Sequence, residues 1–260
     1  MRAELFRRLV RRVRSAAVVL GSLLLTLPGR ADAQGIGLKH LLEMMDWGRE
    51  TFALAEVLEF VPDGVGRPAR YDLVGWTGGA SNRVWAKADG EHGTRNGGGE
   101  MEVQLLYGRL ITPWWDGQAG VLVDAHYGEG STSTRTSLAL GLQGLAPGWF
   151  EVEPTLFVSQ HGDVSASFKA SYDLLFTQRL VLQPRLETKV ALQEVPEFGV
   201  GSGFNDVELG MRMRYEIRRE FAPYLGFSWA RRLGGTADLA HASGEPVREF
   251  SLVAGVRLWR

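Results

Sequence analysis

Residues 180–193, LVLQPRLETKVALQ, decide how this chain is to be read. Leu180, Leu182, Pro184, Leu186, Val190 and Leu192 form one alternate set, interrupted by Thr188; Gln183, Arg185, Glu187, Lys189 and Gln193 form the other, broken by Val181 and Ala191. A β-strand sends successive side chains to opposite faces, so the stretch is a strand with one apolar and one charged face. It is also longer than the usual strand of a soluble domain and matches the roughly 9 to 11 residues that a tilted strand needs to cross a bilayer. The expectation is an outer-membrane strand, apolar toward lipid and polar toward a wet lumen.

The same alternation recurs. Val207, Leu209, Met211, Met213, Tyr215 and Ile217 oppose Asp206, Glu208, Arg212, Arg214, Glu216 and Arg218; Phe168, Tyr172, Leu174 and Phe176 oppose Lys169 and Asp173. Turn signals divide the chain into twelve strands near 51–61, 70–77, 81–91, 100–111, 115–127, 134–145, 149–160, 164–176, 180–192, 204–217, 221–232 and 248–259. An even number of strands, with short turns at one end and longer loops at the other, predicts a twelve-stranded antiparallel up-and-down transmembrane β-barrel. Trp76, Trp114, Trp115, Trp149 and Trp259 fall at the short-turn end, where an interfacial aromatic girdle is expected. Interspersed charges of both signs on the polar faces predict a lumen filled by ion pairs and water.

The start of the chain fits this address. Five arginines between Arg7 and Arg14, an apolar run from Ala16 to Leu27 and the box Ala31-Asp32-Ala33 read as a secretory signal peptide over residues 1–33. Residues 34–50 form a short lead-in or plug, and 51–260 the barrel. Without residues 1–33, which hold seven arginines and two acids, the formal charge falls from −1 to −6. That charge argues against nucleic acid as a partner, because phosphate binding needs a basic footprint. The chain has no cysteine, so any metal must be held by His, Met, Asp or Glu.

Several blocks carry a family likeness. Trp76-Thr77-Gly78-Gly79 with Asn82 to Lys87, Tyr107-Gly108-Arg109 with Trp115-Asp116, Tyr172 to Arg185, Gly199 to Gly203, and Glu208 to Gly226 together resemble the copper resistance protein B family. The resemblance implies an outer-membrane barrel that binds copper or assists its sequestration or export at the envelope. It implies no enzymatic activity, and it gives as partners the lipid bilayer, copper ions, and a periplasmic copper oxidase or carrier. Members carry a Met- and His-rich segment ahead of the barrel, since thioether and imidazole suit Cu(I); here that segment is reduced to His40, Met44 and Met45.

Two candidate metal sites follow from spacing. His40 and Met44 stand at i and i+4 on the lead-in, with Met45 beside them. His126 and Asp124 stand at i and i+2 on one strand face, toward the lumen near the loop end. The bland alternative for that pair is an ordinary polar contact. Gly199 to Gly203 reads as a flexible loop, since no helix or lysine follows to make it a phosphate cradle. Two competing functions are a passive narrow channel and a barrel-embedded hydrolase; the latter needs Ser137 beside His126, which the alternation places on different faces.

Overall fold

A computed structural model describes residues 50–62, 68–94, 98–128 and 131–260. The predicted signal peptide, the lead-in, and with them His40, Met44 and Met45 lie outside the described residues. The rest is one closed barrel of twelve antiparallel strands. In chain order these are β1 (Glu50–Phe60), β2 (Pro68–Gly78), β3 (Asn82–Gly93), β4 (Gly99–Thr112), β5 (Trp115–Gly128), β6 (Ser131–Ala146) and β7 (Phe150–Ser159). Then come β8 (Val164–Ser171, resuming at Leu174–Leu175), β9 (Leu180–Ala191), β10 (Gly203–Tyr215), β11 (Phe221–Arg232) and β12 (Arg248–Trp259). Each strand pairs with its sequence neighbours, and β12 pairs back onto β1, so no edge is left open. Closure matters because an unpaired edge would carry backbone polar groups that hydrocarbon cannot satisfy.

Burial in this barrel runs opposite to that of a soluble protein. Leu105, Leu138, Leu140, Leu209, Leu225, Phe250 and Leu252 are exposed on the outer wall, while Lys87, Gln104, Gln118, Asp124, Gln183, Arg212 and Arg214 are buried inside. A belt of exposed Leu and Phe around a charged interior is stable only where the outside solvent is lipid. The strand that opened the sequence reading follows the pattern along its length. Gln183, Arg185 and Glu187 point inward on β9, in unbroken register with β10 from Leu180↔Tyr215 to Lys189↔Asp206.

Two local features trace to single residues. Pro184 has no N–H to donate, and opposite it β8 breaks at Tyr172-Asp173; the register runs to Arg185↔Ser171 and resumes at Leu182↔Leu174. The break frees Asp173, whose carboxylate takes both terminal nitrogens of Arg214. In β1 a bulge between Ala55 and Val57 shifts the alternation, so Glu56 and Glu59 both reach inward although they stand three positions apart. At the short-turn end Pro147-Gly148 turns β6 into β7, with the Trp149 N–H donating to the Ala146 carbonyl at 3.1 Å. Gly148 has φ 89°, as a type II turn requires of its third residue.

One predicted loop is partly helical. Within 233–247 an α-helix, α1 (Gly234–Ser243), follows β11 and ends on Gly244 at φ 72°. Its hydrophobicity shows little periodicity and no side chain caps its start, which is why the sequence gives no sign of it.

Candidate functional site: the barrel lumen

The lumen has two parts of different chemistry. On the wall formed by β2 to β7 one patch of it is apolar. Trp85, Leu106, Leu122, Ala139 and Phe157 form a buried cluster with Val74 and Trp76 packed against it. Aromatic rings extend this patch: Trp76 lies 6.0 Å from Trp85 and 6.1 Å from Phe52, and Phe52 lies 6.3 Å from Trp259. The guanidinium of Arg83 sits 4.5 Å above the Trp76 ring. This corrects the sequence expectation twice. The lumen is not polar throughout, and Trp76 turns inward to line it instead of joining an outer girdle. Trp114 and Trp149, exposed and edge to face at 5.9 Å, do lie on the outer wall.

Beside this patch a belt of ion pairs crosses the lumen. Asp72 on β2 accepts from Arg185 on β9 at 2.5 Å, and Lys169 on β8 lies 3.5 Å from Asp89 on β3 and 3.9 Å from Asp72. Lys189 on β9 reaches Glu102 on β4 at 2.5 Å, and Lys87 on β3 reaches Glu153 on β7 at 2.8 Å. These pairs join strands four to six places apart in a ring of twelve, so they tie opposite walls together. Arg212 on β10 grips Glu59 on β1 through two hydrogen bonds of 3.0 and 3.1 Å, and the Tyr224 hydroxyl donates to the same carboxylate at 3.2 Å. An isolated charge here would be costly; pairing offsets part of that cost, and the paired side chains fill space a pore would leave open.

From this belt a cavity of about 750 Å³ runs to the loop end. Its walls carry more carboxylates than cations, among them Asp89, Glu91, Glu100, Glu102, Asp206 and Glu208. A cleft lined by one sign of charge with low-dielectric walls raises the local concentration of the opposite ion. The cavity therefore favours cations.

The predicted pair Asp124 and His126 lies in this cavity, as the alternation places it. His126 Nε2 stands 3.5 Å from Asp124 Oδ1 and 3.8 Å from Glu100 Oε2 on the neighbouring strand. The other Asp124 oxygen accepts from Arg135 Nη2 at 2.7 Å, so a cation already neutralises this carboxylate. Among the described residues no group of three or more His, Asp or Glu is arranged to hold a metal ion. Ser137 is buried on this same inner face and also lines the cavity, contrary to the sequence expectation. It stands opposite Leu122, whereas His126 stands opposite Ser133. Four residues along β6 separate these positions, roughly 13 Å at strand rise, so Ser137 and His126 form no nucleophile and base pair.

Two connections at the loop end are locked together, which spacing alone did not reveal. Phe198 packs edge-on to His126 at 5.1 Å and under the Arg135 guanidinium at 4.5 Å. Gly201 lies against α1: its N–H donates to Thr236 Oγ1 at 2.9 Å, and Asn205 Nδ2 donates to the Gly201 carbonyl and to Thr236 Oγ1. A Cβ on Gly201 would stand 2.3 Å from the Gly235 carbonyl carbon and the Thr236 nitrogen. The Gly199 to Gly203 stretch is thus a close-packed clip at Gly201, not the flexible loop expected from its composition.

A closed antiparallel barrel, apolar outside and charged within, defines an outer-membrane-type β-barrel. A NanC porin shares this fold at a TM-score of 0.50 and 11% identity, over 80% of this chain and 99% of the porin. The chain belongs to the family of Copper resistance protein B precursor (CopB), whose model matches residues 49–260. It is 45% identical to the Escherichia coli Copper resistance protein B over 185 residues, or 71% of this chain. It is 38% identical over 217 residues, 84% of this chain, to a Copper resistance protein B homolog of Pseudomonas syringae pv. tomato (strain ATCC BAA-871 / DC3000). The matched region spans 60% of the Escherichia coli relative and 72% of the Pseudomonas one.

Proposed function

We propose that this protein sits in the outer membrane, its short-turn end toward the periplasm, and serves a copper resistance system by binding copper or assisting its sequestration or export at the envelope. The observation that carries this reading is the family match, which covers the entire barrel from residue 49 to 260. The excess of carboxylates in the lumen supports it, since an acidic vestibule favours cations over anions. His126 with Asp124 inside the barrel, and His40, Met44 and Met45 ahead of it, are the residues proposed to meet the metal. Imidazole and carboxylate suit Cu(II), and thioethers suit Cu(I). The role is non-enzymatic, and a periplasmic copper oxidase or carrier is the proposed partner.

The direct test compares copper tolerance of a deletion strain with its parent and measures copper held by refolded chains 34–260 and 50–260. Greater sensitivity on deletion, with copper retained by the longer chain, is expected; unchanged tolerance and no bound copper would sink the proposal. A passive narrow channel is the competing reading, and the ion pairs that tie opposite lumen walls oppose it.

A further inference from the structure

Seven of the fifteen described arginines have a carboxylate within reach: Arg70, Arg83, Arg135, Arg185, Arg212, Arg214 and Arg232. Four of the other eight cluster on neighbouring strand ends at the short-turn side. Arg179 lies between β8 and β9, Arg218 and Arg219 lie between β10 and β11, and Arg260 follows β12. All four are exposed, and among the described residues none has an ion-pair partner.

The backbone holds three of these strand ends side by side. The Glu216 N–H donates to the Arg179 carbonyl at 2.8 Å, which fixes the first turn two residues from Arg218. The indole N–H of Trp259 donates to the Arg219 carbonyl at 2.5 Å, which brings the second turn to the end of β12. Neighbouring strands lie about 4.8 Å apart, so the arginines form an arc roughly 15 Å long. Two acids share these turns. Glu216 is drawn toward Arg214, 3.7 Å away, and Glu220 alone does not balance the arc.

The depth of the arc points to its partner. Immediately above it on the outer wall are Leu174, Phe176 and Ile217, with exposures of 43%, 63% and 53%. On the membrane reading proposed above, these mark the edge of the hydrocarbon. Arginines one to three residues beyond that edge stand at the height of lipid phosphates, where long cationic side chains place their heads. Guanidinium is a planar, bidentate phosphate ligand, and several in one arc distinguish an anionic headgroup from a zwitterionic one. We propose that this arc binds the phosphate of an anionic phospholipid in the leaflet at the short-turn end. An acidic protein would not need an apolar wall directly beside its charges, so lipid fits better.

The test uses the chain from residue 34 to 260, refolded and placed in nanodiscs of phosphatidylcholine with a minor share of phosphatidylglycerol. Folding and insertion are read from heat-modifiable migration, and retained lipids are counted by native mass spectrometry. Wild type is expected to enrich phosphatidylglycerol about tenfold or more over its share in the disc, given the attraction of each basic residue near an anionic surface. The variant R179Q/R218Q/R219Q is expected to fall to the bulk ratio while still migrating as a folded barrel. Arg109→Gln, which removes an exposed arginine at the short-turn end of β4 outside the arc, is expected to change nothing. A folded wild type without enrichment, or a triple variant that keeps it, overturns the inference and leaves the membrane reading standing. Displacement of the lipid by inorganic phosphate alone makes this an anion site and overturns the lipid assignment. A wild type that does not insert overturns both readings.

Discussion

Arg212 on β10 holds Glu59 on β1 through two hydrogen bonds, and the Glu59 side chain has no exposure to solvent. The strands are three places apart around the ring, so the pair braces the curved wall from inside. Removing one member leaves an uncompensated buried charge. Glu59→Gln is expected to lower stability by about 3 to 5 kcal/mol, and Arg212→Met by a similar amount. The double substitution should recover much of the loss, as read from urea unfolding in detergent. Additive losses would show that the two act independently.

The cross-lumen ties are expected to limit ion flow. Asp72 pairs with both Arg185 and Lys169, so Asp72→Asn removes the one carboxylate that these two cations of the opposite wall share and leaves them to Glu187 and Asp89. In planar bilayers the wild-type barrel should conduct weakly, and Asp72→Asn combined with Glu102→Gln should raise conductance severalfold. A wild type with large steady conductance would refute a bridged lumen.

The clip at the loop end rests on the absence of a side chain at residue 201. Gly201→Ala forces a Cβ against the backbone of Gly235 and Thr236 and should break the Thr236 hydrogen bonds. The barrel should stay folded, because strand pairing does not pass through this contact. Limited proteolysis of membrane-embedded protein should then cut at 233–247 faster than in wild type, whereas equal rates would mean that Gly201 does not hold the helix.

Leu138 lies midway along β6 and is 63% exposed on the outer wall. In a bilayer Leu138→Arg is expected to cost about 2 to 4 kcal/mol of folding free energy. The same change on a solvated surface costs little, so an unchanged unfolding midpoint in lipid would argue against a membrane-facing wall.

Of the two proposed metal positions, the pair in the lumen is the weaker, because Arg135 already occupies one oxygen of Asp124. His126→Ala should reduce copper held by the chain 50–260 but leave most of that held by the chain 34–260. Equal losses in both would assign binding to the lumen alone.

Much of the architecture is legible in the chain because β-alternation is local. Each of the twelve strands shows its two faces within its own residues, and the turns announce themselves through residues such as Pro147-Gly148. The errors arise where a neighbouring strand decides. Trp76 looks like an interfacial residue until the register places it beside Trp85, and Ser137 looks lipid-facing until β6 is aligned with β5. The break in β8 is caused by Pro184, which belongs to a different strand.

The sequence alone determined that Arg185, Glu187 and Lys189 turn away from lipid, since a period of two is written residue by residue. Only the tertiary structure decided what they meet. Asp72 lies 113 residues from Arg185, and Glu102 lies 87 from Lys189. Such partners are chosen by closure of the ring, which brings β2 and β4 across from β9. Closure also gathered an apolar patch and an acidic cavity in one lumen, because which inward side chains meet at one level depends on the stagger of the strands and not on any one of them.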